Sequence, residues 1–270
     1  MTTRTRRGPT ATAMPEIEEM SSVKPFGNIL VYGDSGVGKT VLAGTAGNGL
    51  IIAIDKGIIS AARQGSTSKL VKIHEWEEFS AVTKYLRAGG YREYDWVVID
   101  GLTMLQERLL RFVMDEQRRE NSKIDEWVPS QAGHQKQQNM MRFYVNLYCD
   151  LPVNVLFTAL PMNIETEDGE ERVIPLIHGQ KGALSNYCVG MSDAFGYMKL
   201  TTNKAGQEVR RITWRPNGAY IGKDRFGVLA PFTDDITLPE IAARIAAPVG
   251  STRRTATTAR RRRATTRRSA

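Results

Sequence analysis

Residues 33–40 of the chain have the sequence "GDSGVGKT". This stretch matches the pattern G-x-x-x-x-G-K-[ST], in which a glycine-rich loop turns its backbone N–H groups towards phosphate oxygens. The apolar run Asn28–Tyr32 precedes it directly and predicts a buried strand, and a helix is expected to begin near Thr40. A strand, a loop and a helix N-terminus in this order predict a binding site for nucleotide phosphates.

The residues of this loop have separate expected roles. The glycines allow the backbone to curl around the phosphates. Lys39 is expected to reach the β- and γ-phosphates, and the hydroxyl of Thr40 is expected to bind Mg²⁺. The predicted cofactors are therefore a nucleotide and Mg²⁺. The residues predicted to bind the nucleotide are Gly33, Asp34, Ser35, Gly36, Val37, Gly38, Lys39 and Thr40.

ATP is favoured over GTP as the nucleotide. Ras-type GTPases recognise guanine with the element N-K-x-D, and the Asn203-Lys204 pair of this chain is followed by Ala205-Gly206, with glycine at the aspartate position. The pair also lies in a predicted hairpin turn, "TTNKAGQ".

An acidic residue at the end of a nearby strand is needed to hold Mg²⁺. The run "DWVVID" predicts a buried strand that ends in Asp100, which is the candidate for this role, although aspartate at such a turn also commonly caps a helix. Asp55, at the end of the second strand, is a candidate for orienting the attacking water or equally a helix cap. Glu75 is a weaker candidate for the water. Thr158 could sense the γ-phosphate or be a plain core threonine.

The order of elements predicts an α/β fold. Apolar strands over about Leu50–Asp55, Lys69–His74, Asp95–Asp100 and Val153–Leu160 alternate with amphipathic helical patterns, one of them over Gln131–Cys149, which is typical of a mostly parallel central sheet flanked by helices. Two hairpin signals, at Asp168-Gly169 and at "TTNKAGQ", predict that the C-terminal third adds antiparallel strands to the parallel core. A last helix is expected over Leu238–Ala246. Four tryptophans are expected in the core: Trp76, Trp96, Trp127 and Trp214.

Composition divides the chain into three parts: residues 1–23 as a flexible segment, 24–247 as the ATPase domain and 248–270 as a disordered arginine-rich tail. The tail contains eight arginines and no acidic residue, and these account for the whole net charge of +8. Such a tail is expected to bind nucleic acid through phosphates, independently of sequence; a solubilising or protein-docking role is the alternative. The tail arginines are Arg253, Arg254, Arg260, Arg261, Arg262, Arg263, Arg267 and Arg268.

No run of eighteen apolar residues indicates a membrane span, and no apolar segment follows the N-terminal arginines as in a secretory signal. The two cysteines, Cys149 and Cys188, form no C-x-x-C and are expected to be reduced. The expected location is the cytoplasm.

Four motifs occur in a characteristic order: "GDSGVGKT", "YDWVVIDGLT" (Tyr94–Thr103), "LPVNVLFTAL" (Leu151–Leu160) and "KDRFGVL" (Lys223–Leu229). In this order the chain resembles the RecA-like P-loop ATPases of bacteriophages, often labelled AAA-type ATPases, and in particular the group that includes single-strand annealing proteins of the Sak type. The resemblance extends from about Phe26 to Pro231.

The resemblance implies a RecA-like fold and a homo-oligomer, a ring or a filament, with ATP near the subunit interface. It also implies the cytoplasm of a bacterial host as the location. Lys223 and Arg225 look like the pair that reaches the neighbour's γ-phosphate; a surface salt bridge is the alternative. One departure concerns Gly57, which stands two residues past Asp55, where RecA has a glutamate. This departure raises the possibility of slow hydrolysis.

These observations predict a Mg²⁺-dependent ATPase that acts on DNA, preferably single-stranded, in phage recombination or replication, through annealing or strand pairing. Two alternatives stay open. One is a nucleotide-gated DNA-binding scaffold with little hydrolysis, and the other is a helicase-loader or packaging-type motor. A kinase is the least favoured, since no acceptor site or arginine-bearing lid is evident.

Overall fold

A computed structural model describes residues 17, 19, 26–166, 168–179 and 182–247. The flexible segment and the arginine-rich tail predicted at the two ends lie almost wholly outside these described residues. The helices are α1 Lys39–Gly44, α2 Ile59–Arg63, α3 Trp76–Arg87, α4 Leu102–Glu120, α5 Gln131–Cys149, α6 Ala183–Met191 and α7 Leu238–Ala246. The strands are β1 Asn28–Tyr32, β2 Gly49–Ala53, β3 Lys69–Lys72, β4 Trp96–Asp100, β5 Asn154–Ala159, β6 Pro161–Glu165, β7 Glu171–Pro175, β8 Ala194–Thr202, β9 Glu208–Thr213, β10 Lys223–Asp224 and β11 Phe232–Asp234.

The central sheet has the strand order β11-β9-β8-β1-β5-β4-β2-β3, and β10 pairs with β8. The six strands from β8 to β3 run parallel to one another, whereas β9, β10 and β11 are antiparallel to their partners. The predicted P-loop NTPase fold, with a mostly parallel sheet and antiparallel strands at one edge, is confirmed.

Alternation along β1 shows why the sheet is covered on both faces. Ile29 and Val31 belong to one buried cluster, with residues of α1 and α7, and Leu30 and Tyr32 belong to the other, with residues of α3, α4, α5 and α6. Since successive side chains of a strand point to opposite faces, the four consecutive apolar residues Ile29–Tyr32 need two helical layers to bury them.

The hairpin around Asp168-Gly169 forms as predicted, but β6 and β7 make a separate two-stranded sheet. The expectation that both hairpins extend the parallel core is therefore wrong for this one. The reason is that β5, which precedes it, already has β1 and β4 on its two sides.

Three further elements differ from the sequence-based expectations. Helix α6 was not predicted; tertiary contacts hold it, including hydrogen bonds from Ser185 Oγ to the carbonyls of Pro175 and Ile177. The polar residues 115–126 favour a loop or a frayed helix end; those up to Glu120 belong to helix α4, and those after it are non-helical. Trp127 is 77 % exposed and lies beside the Arg111 guanidinium, so its assignment to the core is wrong.

Candidate functional site

The phosphate loop follows β1 at its carboxyl end and leads into α1. Gly38 caps α1 with a φ of 104°, and Gly36 has a φ of 83°, so both adopt the left-handed region that favours glycine. At Gly33 a Cβ would overlap the carbonyl oxygen of Met198 in β8. The loop therefore requires glycine for its turns and for the close approach of β8.

Lys39 lies at the first position of α1. Its Nζ donates hydrogen bonds of 2.7 Å to the carbonyl oxygens of Gly33 and Asp34. Burial lowers the pKa of Lys39, while the negative charges of Asp100, Asp55 and Asp34 oppose that shift. The ammonium is thus held over the loop, where it can meet phosphate oxygens.

Thr40, Asp100 and Thr158 form one hydrogen-bonded group. Thr40 Oγ1 donates to Asp100 Oδ2 over 2.8 Å, and Thr158 Oγ1 donates to Asp100 Oδ1 over 2.7 Å. Asp100 and Thr158 are paired across β4 and β5, and the N–H of Gly101 donates to Thr158 Oγ1. The ends of β1, β4 and β5 therefore bring together three residues from distant parts of the sequence.

This group fits a Mg²⁺ ion. Asp100 is 2 % exposed, and burial raises the pKa of its carboxyl, opposed by the hydrogen bonds from Thr158 and Thr40. A buried carboxylate held by two hydroxyls offers the hard oxygen ligands that Mg²⁺ prefers. Thr40 and Asp100 would hold the ion, which would supply charge compensation to the phosphates.

A cavity of about 670 Å³ opens over the loop and the strand ends. Its walls include five loop residues together with the cations Lys56, Arg63 and Arg210, and among the described residues its carboxylates are Asp55 and Asp100. Cations outnumber carboxylates, as binding a polyphosphate requires. The loop residues in the wall are Ser35, Gly36, Gly38, Lys39 and Thr40.

The other predicted loop residues lie outside this wall. Gly33 and Val37 are buried, and the carboxylate of Asp34 accepts a hydrogen bond of 3.0 Å from the Tyr197 hydroxyl. Their contribution is to the shape of the loop.

Of the two acidic residues predicted to orient the attacking water, Asp55 and Glu75, the structure places one in the cavity wall and the other outside it. Asp55 lines the cavity and accepts a hydrogen bond from the N–H of Lys56, so it caps the short 3₁₀ turn Lys56–Ile58. Gly57 lines the same wall, and a Cβ built on it would lie 3.2 Å from Thr40 Oγ1. Glu75 forms the capping box of α3 with Glu78 and lies outside the cavity wall.

Lys223 and Arg225 lie elsewhere. β10 pairs with the first residues of β8, which flank the amino end of β1, whereas the loop follows its carboxyl end. Lys223 Nζ donates to the carbonyls of Val189 and Gly190, and Arg225 forms a 2.9 Å ion pair with Asp193. Within one chain, neither residue lines the nucleotide cavity.

Sequence reasoning missed three cations of the wall: Lys56, Arg63 and Arg210. Lys56 could have been noticed because it follows Asp55 directly. Nothing in the sequence around Arg210 indicates its place, which depends on the pairing of β9 with β8 and of β8 with β1.

The eight tail arginines lie outside the described residues. Among the described helices, none combines the length and apolar character that crossing a membrane requires.

The chain matches the model of a known protein family. The family model described as an AAA domain matches residues 27–226, which is well over half of the chain and includes the loop, Asp100, Thr158 and Lys223. No curated protein matches the chain.

Proposed function

The chain belongs to the AAA-domain family of P-loop ATPases, and from this premise we propose that it is a Mg²⁺-dependent ATPase acting on single-stranded DNA. The main support for ATPase activity is the hydrogen bond from Thr40 to Asp100, which joins the phosphate loop to a buried carboxylate. The support for DNA binding is the arginine-rich sequence of the tail.

The described residues can perform much of phosphoryl transfer by position and charge. The N–H groups at the start of α1 and the Lys39 ammonium would bind the β- and γ-phosphates. Thr158 lies beside Asp100 in the cavity wall, where its hydroxyl can respond to the γ-phosphate. Asp55 is the remaining carboxylate available in the wall to orient a water molecule.

We extend the proposal to a homo-oligomer in which Lys223 and Arg225 act on the neighbour's nucleotide. A cation supplied from the adjacent subunit stabilises the charge that develops on the transferred phosphoryl group. Support comes from their position at the end of β8 remote from their own loop. The proposed biological role is annealing or strand pairing in phage recombination or replication.

DNA binding is assigned to the arginine-rich tail. The β6–β7 hairpin carries Glu165, Asp168, Glu170 and Glu171, which makes it a poor surface for phosphates. Eight arginines would instead bind DNA by releasing counterions, with an affinity that falls steeply as salt rises.

The test is ATP hydrolysis with no DNA, with single-stranded DNA and with duplex DNA, for the full chain and for a chain ending at Gly250. We expect single-stranded DNA to stimulate ATP hydrolysis by the full chain. When both chains are compared at low salt, the shorter chain should lack this stimulation because it lacks the tail. Stimulation by duplex alone would favour a helicase-loader or packaging-type motor. A lack of stimulation by any DNA would contradict the proposed role.

A second candidate function is a scaffold in which bound ATP orders the oligomer with little turnover. Gly57 favours it, because the wall facing Thr40 has no side chain at this point. The variant Gly57→Glu would place a carboxylate there, and we expect it to raise turnover while Gly57→Gln does not. Equal turnover in the two variants would contradict the hypothesis that hydrolysis is slow because residue 57 lacks a carboxylate.

A further inference from the structure

Arg210 lies against the phosphate loop of its own chain. It belongs to β9, which is separated from β1 only by β8. A Cβ built on Gly38 would overlap the Cδ and Nε atoms of Arg210. The arginine stem therefore covers the residue that caps α1, where the helix N–H groups converge.

Arg210 also stands between two cavities. It lines the nucleotide cavity and a second, smaller cavity of about 180 Å³ between α1 and the edge strands. Val41, in the first turn of α1, also lines both. The wall of the smaller cavity is mostly apolar and consists of Val41, Leu42, Thr45, Met198, Arg210, Ile212, Asp235 and Ile236.

The guanidinium of Arg210 makes only weak polar contacts with the described residues of the protein. Its Nη1 lies 3.5 Å from Asp235 Oδ1, in an ion pair whose side chains are 37 % and 47 % exposed. Its Nε is buried and has no hydrogen-bond partner among the described residues. A buried donor without a partner costs free energy, so the guanidinium loses little when it turns towards a ligand in the cavity.

The adjacent Arg211 provides the contrast. Its Nε and Nη2 each donate to the Asp234 carboxylate over 2.7 Å, and its guanidinium lies over the Phe232 ring. Arg211 is not in the wall of either cavity. Two neighbouring arginines thus differ: one is fully engaged on the protein, and the other faces the ligand space.

We propose that Arg210 binds the α- and β-phosphates of the nucleotide from within the same chain. The assignment rests on the proposed function. The smaller cavity shares Arg210 with the nucleotide cavity but not Thr40, Asp100 or Thr158. Arg210 meets the site at Gly38, where the loop backbone is expected to hold the phosphates that ADP and ATP have in common. Its planar fork of donors suits two phosphate oxygens at once.

The test compares the binding of Mg²⁺-ADP, Mg²⁺-ATP and adenosine to the full chain, in the wild type and in Arg210→Met, Arg210→Lys and Arg211→Met. For Arg210→Met we expect the Kd of both nucleotides to rise by the same factor, about tenfold, since one charged contact is lost. Adenosine binding should stay unchanged, because adenosine carries no phosphate for Arg210 to contact. Arg210→Lys should recover part of the affinity, and Arg211→Met should bind as the wild type does.

Unchanged ADP binding in Arg210→Met would overturn this assignment alone. A loss confined to ATP, with a matching fall in kcat, would also overturn it, because that pattern places Arg210 on the γ-phosphate. Failure of the wild-type chain to bind either nucleotide would overturn the proposed function and this assignment with it. Arg210→Lys, which keeps the charge, serves if Arg210→Met fails to fold.

Discussion

Lys39 and Lys223 make the same kind of hydrogen bonds at opposite ends of the strand pair β1–β8. Each ammonium donates to the carbonyl oxygens of two consecutive residues, Gly33 and Asp34 for Lys39, and Val189 and Gly190 for Lys223. Burial is the main cause that lowers the pKa of each.

The charges around the two lysines differ. Lys39 is surrounded by the carboxylates of Asp100, Asp55 and Asp34, whereas Lys223 has Arg225 as well as Asp193 beside it. A lysine beside carboxylates and a helix N-terminus suits the phosphates of the chain's own nucleotide. A lysine next to an arginine is a concentration of positive charge, which suits a phosphate supplied from outside the chain.

The largest effect is expected at Lys39. Lys39→Ala removes the cation that is expected to contact the β- and γ-phosphates, and we expect kcat/KM for ATP to fall at least a hundredfold. Steady-state hydrolysis measures this, with Lys204→Ala as the control because Lys204 lies on an exposed turn. Turnover by Lys39→Ala close to that of wild type would remove this lysine from the site.

Lys223 tests the other half of the comparison. Lys223→Ala alone should also lose most turnover if the residue acts on a neighbouring subunit. Mixing equal amounts of the Lys39→Ala and Lys223→Ala chains should then recover roughly a quarter of the wild-type turnover, since a random head-to-tail assembly pairs an intact loop with an intact Lys223 at that frequency. If the mixture stays as inactive as its components, the trans role is wrong.

A smaller effect is expected at Thr158. Thr158→Val removes one of the two hydroxyl donors to Asp100 and the acceptor of the Gly101 N–H. We expect about a tenfold lower kcat, and Thr158→Ser, which keeps the hydroxyl, should stay near wild type. Equal rates for the valine and serine variants would make Thr158 a packing residue.

The smallest effect concerns the stability of the nucleotide-free chain. Burial raises the pKa of Asp100, so the folded state holds this proton more tightly than the unfolded state, and stability is lost as pH rises through the raised pKa. Asp100→Asn removes that cost, and at pH 7 we expect the Tm of the nucleotide-free chain to rise by about 2–4 °C.

The gain in Tm should shrink as pH is lowered towards the ordinary pKa of aspartate, because the wild-type carboxyl then becomes neutral too. Thermal melts of both chains across this range measure it. A gain that does not change with pH would contradict burial of the charge as its cause.

The helices that were located correctly from the sequence begin at residues whose side chains cap the helix N-terminus. Helix α5 begins and ends as predicted, after Ser130, whose Oγ accepts a hydrogen bond from the N–H of Gly133. Helix α7 also matches, with a capping box between Thr237 and Glu240. The proximity of Thr40 and Asp100 was likewise accessible, because parallel strands end at the same edge of a sheet.

The features that could not be predicted from the sequence depend on the order of strands across the sheet. Arg210 reaches Gly38 only because β9 and β8 are added beside β1. The β6–β7 hairpin stays separate because both edges of β5 are already paired. Local patterns of hydrophobicity contain no information about either arrangement.

The central claim is that the cavity over residues 33–40 binds Mg²⁺-ATP. The most direct measurement is calorimetric titration of ATP into the full chain, with Mg²⁺ and with EDTA, for the wild type and for Lys39→Ala. The account predicts one nucleotide per wild-type chain, weaker binding in EDTA, and a large loss of affinity in Lys39→Ala. Absence of binding by the wild type, or equal affinity in the two chains, would contradict it.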